Sequence, residues 1–362
     1  MNKLLGERIC GFASFLKEKC DHNNQPVFDL NGRKPNFTER MLIRFRMLKY
    51  DSQKTMRREL FESINSAKPD ILMIHYASTA RYLWDVINRF PIPVYIYVHG
   101  YDIIWDHNDD TGKKFYDSEY MSEVLNISKK SNVTFIANSE CSFQNLLEIG
   151  IEKNKIVKKI FGVNLPAVKR NYRKNEMTVL FLGRLVDYKG PDIVIKAFIK
   201  ACESGFEGRL IVAGDGFLKE ACERIASNSV FSNRIDFMGE VDKKQAENLY
   251  LEADLYSMHN CRGPISNGYD TFGVTVIEAL SYGLPVVTGK MGGPAEIIEN
   301  GTDGILVEPF DVKEHADAFL RLFRDRNLCE QMGNNGRNKI LNKYSADIEK
   351  SSLFNILKIS GN

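Results

Sequence analysis

The stretch TVLFLGRLVDYKGPDIVIKAFIKACESGFEGRLIVAG, residues 178–214, decides the fold. TVLFLG (178–183) and GRLIVAG (208–214) are short apolar runs closed by glycine, and between them PDIVIKAFIKAC repeats its apolar residues every three and four positions. A buried strand, an amphipathic helix and a second buried strand make a βαβ unit, and such units build a parallel sheet covered on both faces. Downstream, IDFMG (235–239), ADLYSM (253–258), PVVTG (285–289) and GILVEP (304–309) continue the style, with helical patterns such as KKQAENLYLEA between them. Upstream, PDILMIHY (69–76), PVYIYVHG (93–100) and NVTFIANS (132–139) read as buried strands of a less regular second sheet. The composition changes over KIVKKIFGVNLPAVKRNYRKNEM (155–177), which reads as the connection between the two halves.

With 362 residues the chain exceeds the roughly 250 to 300 at which one hydrophobic core stops growing, so two α/β domains are expected. They are placed at 1–168 and 169–344, and 345–362 is a helical segment expected to cross back to the first domain. A hydrophobic share of 43% with 27% charge excludes disordered and fibrous classes. The seven cysteines are scattered and form no CxxC pair, which points to a reducing compartment and away from structural zinc. Glu7 and Arg8 interrupt the apolar N-terminus, and no uncharged run is long enough to span a bilayer. A cytoplasmic protein is expected, with no nucleic-acid partner. Residues 33–58 carry nine basic side chains against Glu39 and Asp51, interleaved with apolar ones. The pattern fits a solvated helix resting one face on the core, and equally a patch on the anionic inner face of the plasma membrane.

The chemistry-bearing residues stand where open α/β sheets bind ligands, beyond the C-terminal ends of strands. Arg184 and Lys189 follow TVLFLG directly. Two cations beside a helix N-terminus are electrostatically unfavourable unless an anion joins them, so they are the best candidates for binding a diphosphate. In DTFGVTVIEALSYGLPVV (270–287), Phe272 and Gly273 open a helix whose first amides suit an anion. Glu278 interrupts the apolar face of Val274, Ile277 and Leu280 and needs a polar partner such as ribose hydroxyls. Asp270 suits sugar hydroxyls or, equally, a helix cap. His99 in VHGYD and His75 in ILMIHY close strands of the first half. Asn138 and Ser139 either line a cleft or cap the helix that follows. DHNDD (106–110) lacks the context of a metal-binding acidic pair behind a strand, so no metal is expected there.

In this combination, with VAGDG (212–216), MGGPAEII (291–298) and GILVEPFD (304–311), the chain resembles retaining glycosyltransferase family 4 of the GT-B class over nearly its whole length. The resemblance implies two Rossmann-like domains whose parallel sheets face each other across a cleft. It also implies a nucleotide diphosphate sugar as donor, no cofactor and no metal, since Arg184 and Lys189 neutralise the diphosphate. Glu278 would hold the nucleotide ribose and Asp270, where the family usually has Glu, the transferred sugar. Gly183, Gly214, Gly239, Phe272, Gly273 and Val274 would line the donor site. His99 would face the sugar from the other domain, with His75 and Asn138 on the acceptor side. Transfer would retain anomeric configuration by front-face attack. The acceptor would be a glycan or lipid-linked oligosaccharide of a bacterial surface polysaccharide. Rival readings are a nucleotide-sugar epimerase or phosphorylase of the same fold, and a non-catalytic scaffold for a partner glycosyltransferase.

The family's opening strand and glycine loop have no evident counterpart. LLGERICGFASFLKEK (4–19) reads as a helix, the next strand is expected near 26–30, and the start reads as truncated upstream or adapted. The missing strand lends the scaffold reading its weight.

Overall fold

The computed structural model describes residues 9–11, 52–104, 106–108, 112, 118–167 and 176–357. The chain divides into two compact units. One comprises residues 1–102, 118–136 and 146–157, and the other 103–117, 137–145 and 158–362.

The first unit is built on a sheet in the order β1-β2-β3-β4-β5. Its strands are β1 (Ile9–Gly11), β2 (Ile71–His75), β3 (Val94–Tyr97), β4 (Val133–Ala137) and β5 (Ile156–Lys158). Pairing is parallel from β1 through β4. Helices α1 (Ser52–Ala67), α2 (Ala77–Ile87) and α3 (Ser118–Ser128) alternate with the strands, and α4 (Glu140–Glu148), whose residues 140–145 are grouped with the other unit, precedes β5. Leu72, Met73 and Ile74 are fully buried, as a strand covered on both faces requires.

Two expectations are corrected here. Ile9 to Gly11, inside the stretch read as a helix, form a strand in register with Ile71 to Met73, so a strand precedes β2 where none was expected, and the residues on either side of it lie outside the described residues. Three residues are too few to show a period against the longer apolar pattern around them, and the hydrogen bonds that make them a strand come from β2. The weight that the scaffold reading drew from a missing strand is removed. Likewise Ile156 to Lys158, read as connection, form the edge strand β5. The strand expected near 26–30 and most of the basic stretch 33–58 lie outside the described residues. Within that stretch Arg57 bonds Asp85 at 3.0 Å and lies 4.8 Å from the Tyr82 ring centroid.

The second unit holds a six-stranded sheet in the order β11-β10-β9-β6-β7-β8, and every neighbouring pair is parallel. The strands are β6 (Met177–Leu182), β7 (Gly208–Ala213), β8 (Ile235–Gly239), β9 (Leu255–Ser257), β10 (Val286–Gly289) and β11 (Gly304–Val307). Helices α5 (Pro191–Glu203), α6 (Lys219–Ser227), α7 (Lys243–Glu252), α8 (Val274–Ser281), α9 (Gly292–Ile297), α10 (Val312–Arg324) and α11 (Arg326–Lys343) accompany it, and α12 (Ala346–Leu357) follows, with Glu349 accepting from Lys159 Nζ and, at 2.9 Å, from the Gly162 amide. The α5 helix starts on Pro191 at its first turn, where the missing N–H is harmless, and buries Ile193, Val194, Ala197, Phe198 and Ala201 against the sheet.

The strand order positions the site. From β6 the chain winds outward through β7 to β8, then returns to lay β9 on the other side of β6. This reversal is a topological switch point, and the loops leaving β6 and β9 diverge there into a crevice at the strands' C-terminal ends.

Candidate functional site

The two loops at the switch point carry Arg184 and Lys189 after β6 and Asp270 after β9. Lys189 Nζ donates to Asp270 Oδ2 at 2.7 Å, and the two side chains are only 12% and 16% exposed. Burial pushes the Asp270 carboxyl up; the Lys189 charge and hydrogen bond, the Phe272 amide and Arg184 outweigh it and hold it below the usual carboxylate range. Arg184 bonds the Tyr188 hydroxyl and extends along that ring, with its guanidinium 5.7 Å from the centroid. Burial pushes the Tyr188 phenol up, so it stays protonated. Arg184, Lys189 and Asp270 are thus gathered around one buried tyrosine that the sequence reading passed over.

Gly190 ends this loop in the left-handed region at φ 59°, where a side chain would also meet the His259 carbonyl at 2.5 Å. Asp187, 6% exposed, supports the arrangement from below. Its carboxylate accepts from the amides of Tyr188 (3.0 Å), Ile265 (2.7 Å) and Ser266 (2.8 Å) and from the Ser266 hydroxyl (2.7 Å). One buried carboxylate therefore ties the Lys189 loop to the loop at 262–268. Asp187 lies inside the motif GRLVDYKG, but its spacing says nothing about a partner almost eighty residues away.

Beside this pair, Gly183, Gly214 and Gly239 stand at the ends of three adjacent strands, joined by Gly183 N to Ala213 O (3.0 Å) and Gly214 N to Gly239 O (2.7 Å). Gly273 precedes α8 at φ 90° with no side-chain cap, so the cap reading of Asp270 does not hold: its Oδ1 lies 3.4 Å from the Phe272 amide. Phe272 is buried and Val274 is 43% exposed. Glu278, one turn into α8, accepts from the Tyr250 hydroxyl at 2.9 Å. Burial raises its carboxyl, and Tyr250 and Lys243 pull it back.

In the first unit, His75 Nδ1 and His99 Nε2 approach to 2.8 Å with nearly parallel rings. Tyr76 follows His75 with φ 74°, a strained value for a bulky residue, and its ring lies 4.4 Å from that of His99. The buried Asp102 sets both turns: its carboxylate accepts from the amides of Ala77 (2.7 Å) and His99 (2.9 Å). Burial pushes its pKa up to about 6 against those hydrogen bonds. Asp102 stands in VHGYD, yet its role depends on where α2 begins. Asn138 Oδ1 accepts from Ser142 Oγ at 2.5 Å, while Ser139 Oγ accepts the Ser142 amide at 2.9 Å and so caps α4.

Among the described residues no group of three or more His, Cys, Asp or Glu is placed to hold a metal ion. Within DHNDD, Asp106 pairs with Arg262 at 2.5 Å, while Asp109 and Asp110 lie outside the described residues. No described helix is long and apolar enough to cross a membrane.

Residues 167–339 match the family described as glycosyl transferases group 1. An uncharacterized glycosyltransferase of Methanocaldococcus jannaschii is 29% identical over 265 residues, 69% of this chain and 65% of that protein. A GDP-mannose-dependent alpha-(1-6)-phosphatidylinositol monomannoside mannosyltransferase of Mycobacterium tuberculosis is 26% identical over 53% of this chain and 50% of its own length. The chain thus spans between half and two thirds of these curated relatives. Among solved structures, Anabaena HepE in complex with UDP-glucose superposes with a TM-score of 0.69 at 18% identity, over 83% of this chain and 81% of that one. The fold is GT-B, with two α/β units each built on a parallel sheet.

Proposed function

We propose that the chain, whose residues 167–339 match the glycosyl transferases group 1, is a glycosyltransferase that moves a sugar from a nucleotide diphosphate donor to an acceptor hydroxyl, with retention and without a metal. The observation that carries this reading is the half-buried Lys189–Asp270 pair with Arg184 beside it, at the crevice where β6 and β9 part. The Lys189 ammonium has three donors, so it keeps Asp270 and adds an anion. Arg184 supplies the second charge.

As the bond from the anomeric carbon to the β-phosphate oxygen breaks, its electron pair stays on the diphosphate, and Lys189 and Arg184 stabilise the growing charge. The acceptor oxygen bonds to the anomeric carbon on the same face, and its proton passes to the departing phosphate oxygen. Asp270, kept ionised, accepts hydrogen bonds from the transferred sugar; Glu278 takes the ribose. By the family resemblance, His99 would face the transferred sugar, and His75 and Asn138 would serve the acceptor. The acceptor proposed is a glycan or lipid-linked oligosaccharide of surface-polysaccharide synthesis, reached from the cytoplasmic side. The named activity of the Mycobacterium tuberculosis relative and the ligand in the HepE structure support a nucleotide-sugar donor. Incubation of the purified chain with UDP- and GDP-sugars, with NMR of the anomeric proton of the product, tests the reading. An inverted product or no turnover of any donor overturns it.

A further inference from the structure

Glu278 lies on an otherwise apolar helix face, and a carboxylate there adopts a useful orientation only if something holds it. Tyr250, on the facing helix α7, does so. Its ring is 2% exposed and stacks on Tyr282 with centroids 5.1 Å apart and planes inclined by 22°. Its hydroxyl donates to Glu278 Oε2 at 2.9 Å. A second tyrosine fixes the same turn: the Tyr256 hydroxyl lies 3.0 Å from the Leu182 carbonyl and 2.7 Å from the Thr275 hydroxyl. The first turn of α8 is thereby tied to the end of β6. The groups that bear on the Glu278 charge are Lys243 and Tyr250 on α7, Tyr282 one turn further on, and Tyr256. Burial pushes all three phenols up, so they remain donors across the neutral range.

We propose that Tyr250 is a positioning residue for the ribose of the nucleoside diphosphate, acting through Glu278: it occupies one lone pair of Oε2 and holds the carboxylate so that its remaining lone pairs receive the 2′- and 3′-hydroxyls. The inference rests on the donor reading above and assigns a role to a residue that reading leaves idle. A carboxylate oxygen accepts more than one hydrogen bond, so Tyr250 orients Glu278 without competing with the ribose.

Calorimetric titration of the full chain with UDP and 2′-deoxy-UDP, and with GDP and 2′-deoxy-GDP, tests this. The wild type is expected to bind the better ribonucleotide about tenfold more tightly than its deoxy form, the value of a hydrogen bond to a charged group. Tyr250→Phe keeps the ring stack on Tyr282 and is expected to bring that ratio close to one, leaving affinity for the deoxy form nearly unchanged. Glu278→Gln is expected to lose the same preference, a check that does not depend on the packing of Tyr250. Equal weakening of ribo and deoxy forms by Tyr250→Phe, or no change in either, overturns the inference and leaves the donor reading standing. Failure of the wild type to bind any of the four nucleotides overturns the donor reading, and this inference with it.

Discussion

Lys189 and Asp270, eighty-one positions apart in sequence, share a 2.7 Å hydrogen bond at the switch point of the second sheet. The cation leaves the end of β6 and the carboxylate the loop after β9, so the pair exists only because the chain returns to pack β9 against β6. Its low exposure sets it apart from a surface ion pair, which contributes about 0 to 1 kcal/mol.

Loss of either cation should strike turnover harder than donor affinity. Arg184→Ala and Lys189→Ala are each expected to lower kcat by about a hundredfold to a thousandfold, the range for removal of one preorganised charge from a transition state. Steady-state kinetics with the best donor, alongside circular dichroism to confirm folding, checks this. Near wild-type rates in both folded variants contradict the assigned donor site.

Chelation should leave the reaction intact. With Lys189 and Arg184 as the neutralising charges, sugar transfer in excess EDTA is expected to match the untreated rate. Loss of transfer that magnesium or manganese restores contradicts metal independence and returns attention to residues 106–110.

Asp187→Ala should loosen the crevice without touching substrate. Its carboxylate receives the Ile265 and Ser266 amides and the Ser266 hydroxyl, and each buried group left unsatisfied costs about 1 to 3 kcal/mol. Faster proteolytic nicking within 262–268 and a raised KM for the donor are expected. An unchanged digestion pattern and an unchanged KM contradict the role.

Two buried histidines should give the second unit an acid-sensitive stability. The Phe310 amide donates to His259 Nε2 at 2.7 Å, so the His259 proton sits on Nδ1, facing His315 Nδ1 at 2.8 Å; the His315 proton then points from Nε2 to Ser257 Oγ at 2.8 Å. Burial lowers the pKa of His259 to about 4 and that of His315 well below its ordinary value. Both folded values lie below the unfolded value of about 6.5, so the unfolded chain binds more protons; this contribution is present above pH ~6.5 and is lost as pH falls toward 4. His315→Leu leaves Ser257 and His259 without that partner and should lower stability at neutral pH by about 2 kcal/mol. Denaturant unfolding at pH 7, 6 and 5 should show the wild type losing its advantage over the variant as pH falls. An advantage constant with pH contradicts the neutral relay.

Legibility followed range. The βαβ alternation from Thr178 onward, the glycines closing the strands and the candidate cations and carboxylates are local patterns, and the sheet forms from those segments. Where the signal was short it failed. Ile9 to Gly11 became a strand through hydrogen bonds from β2, and Ile156 to Lys158 became an edge strand inside what reads as a connection.

By itself, the sequence determined the alternation of strand and helix and which residue types stand at the strand ends, because periodicity, glycine placement and charge are properties of adjacent residues. Only the tertiary structure decided that Lys189 answers Asp270, that Asp187 holds the loop at 262–268, that Tyr250 holds Glu278 and that Asp102 sets the turns of His99 and Ala77. Each is a hydrogen bond between side chains and loops brought together by strand order. Strand order is settled by the burial of whole helix and sheet faces, which no local pattern contains.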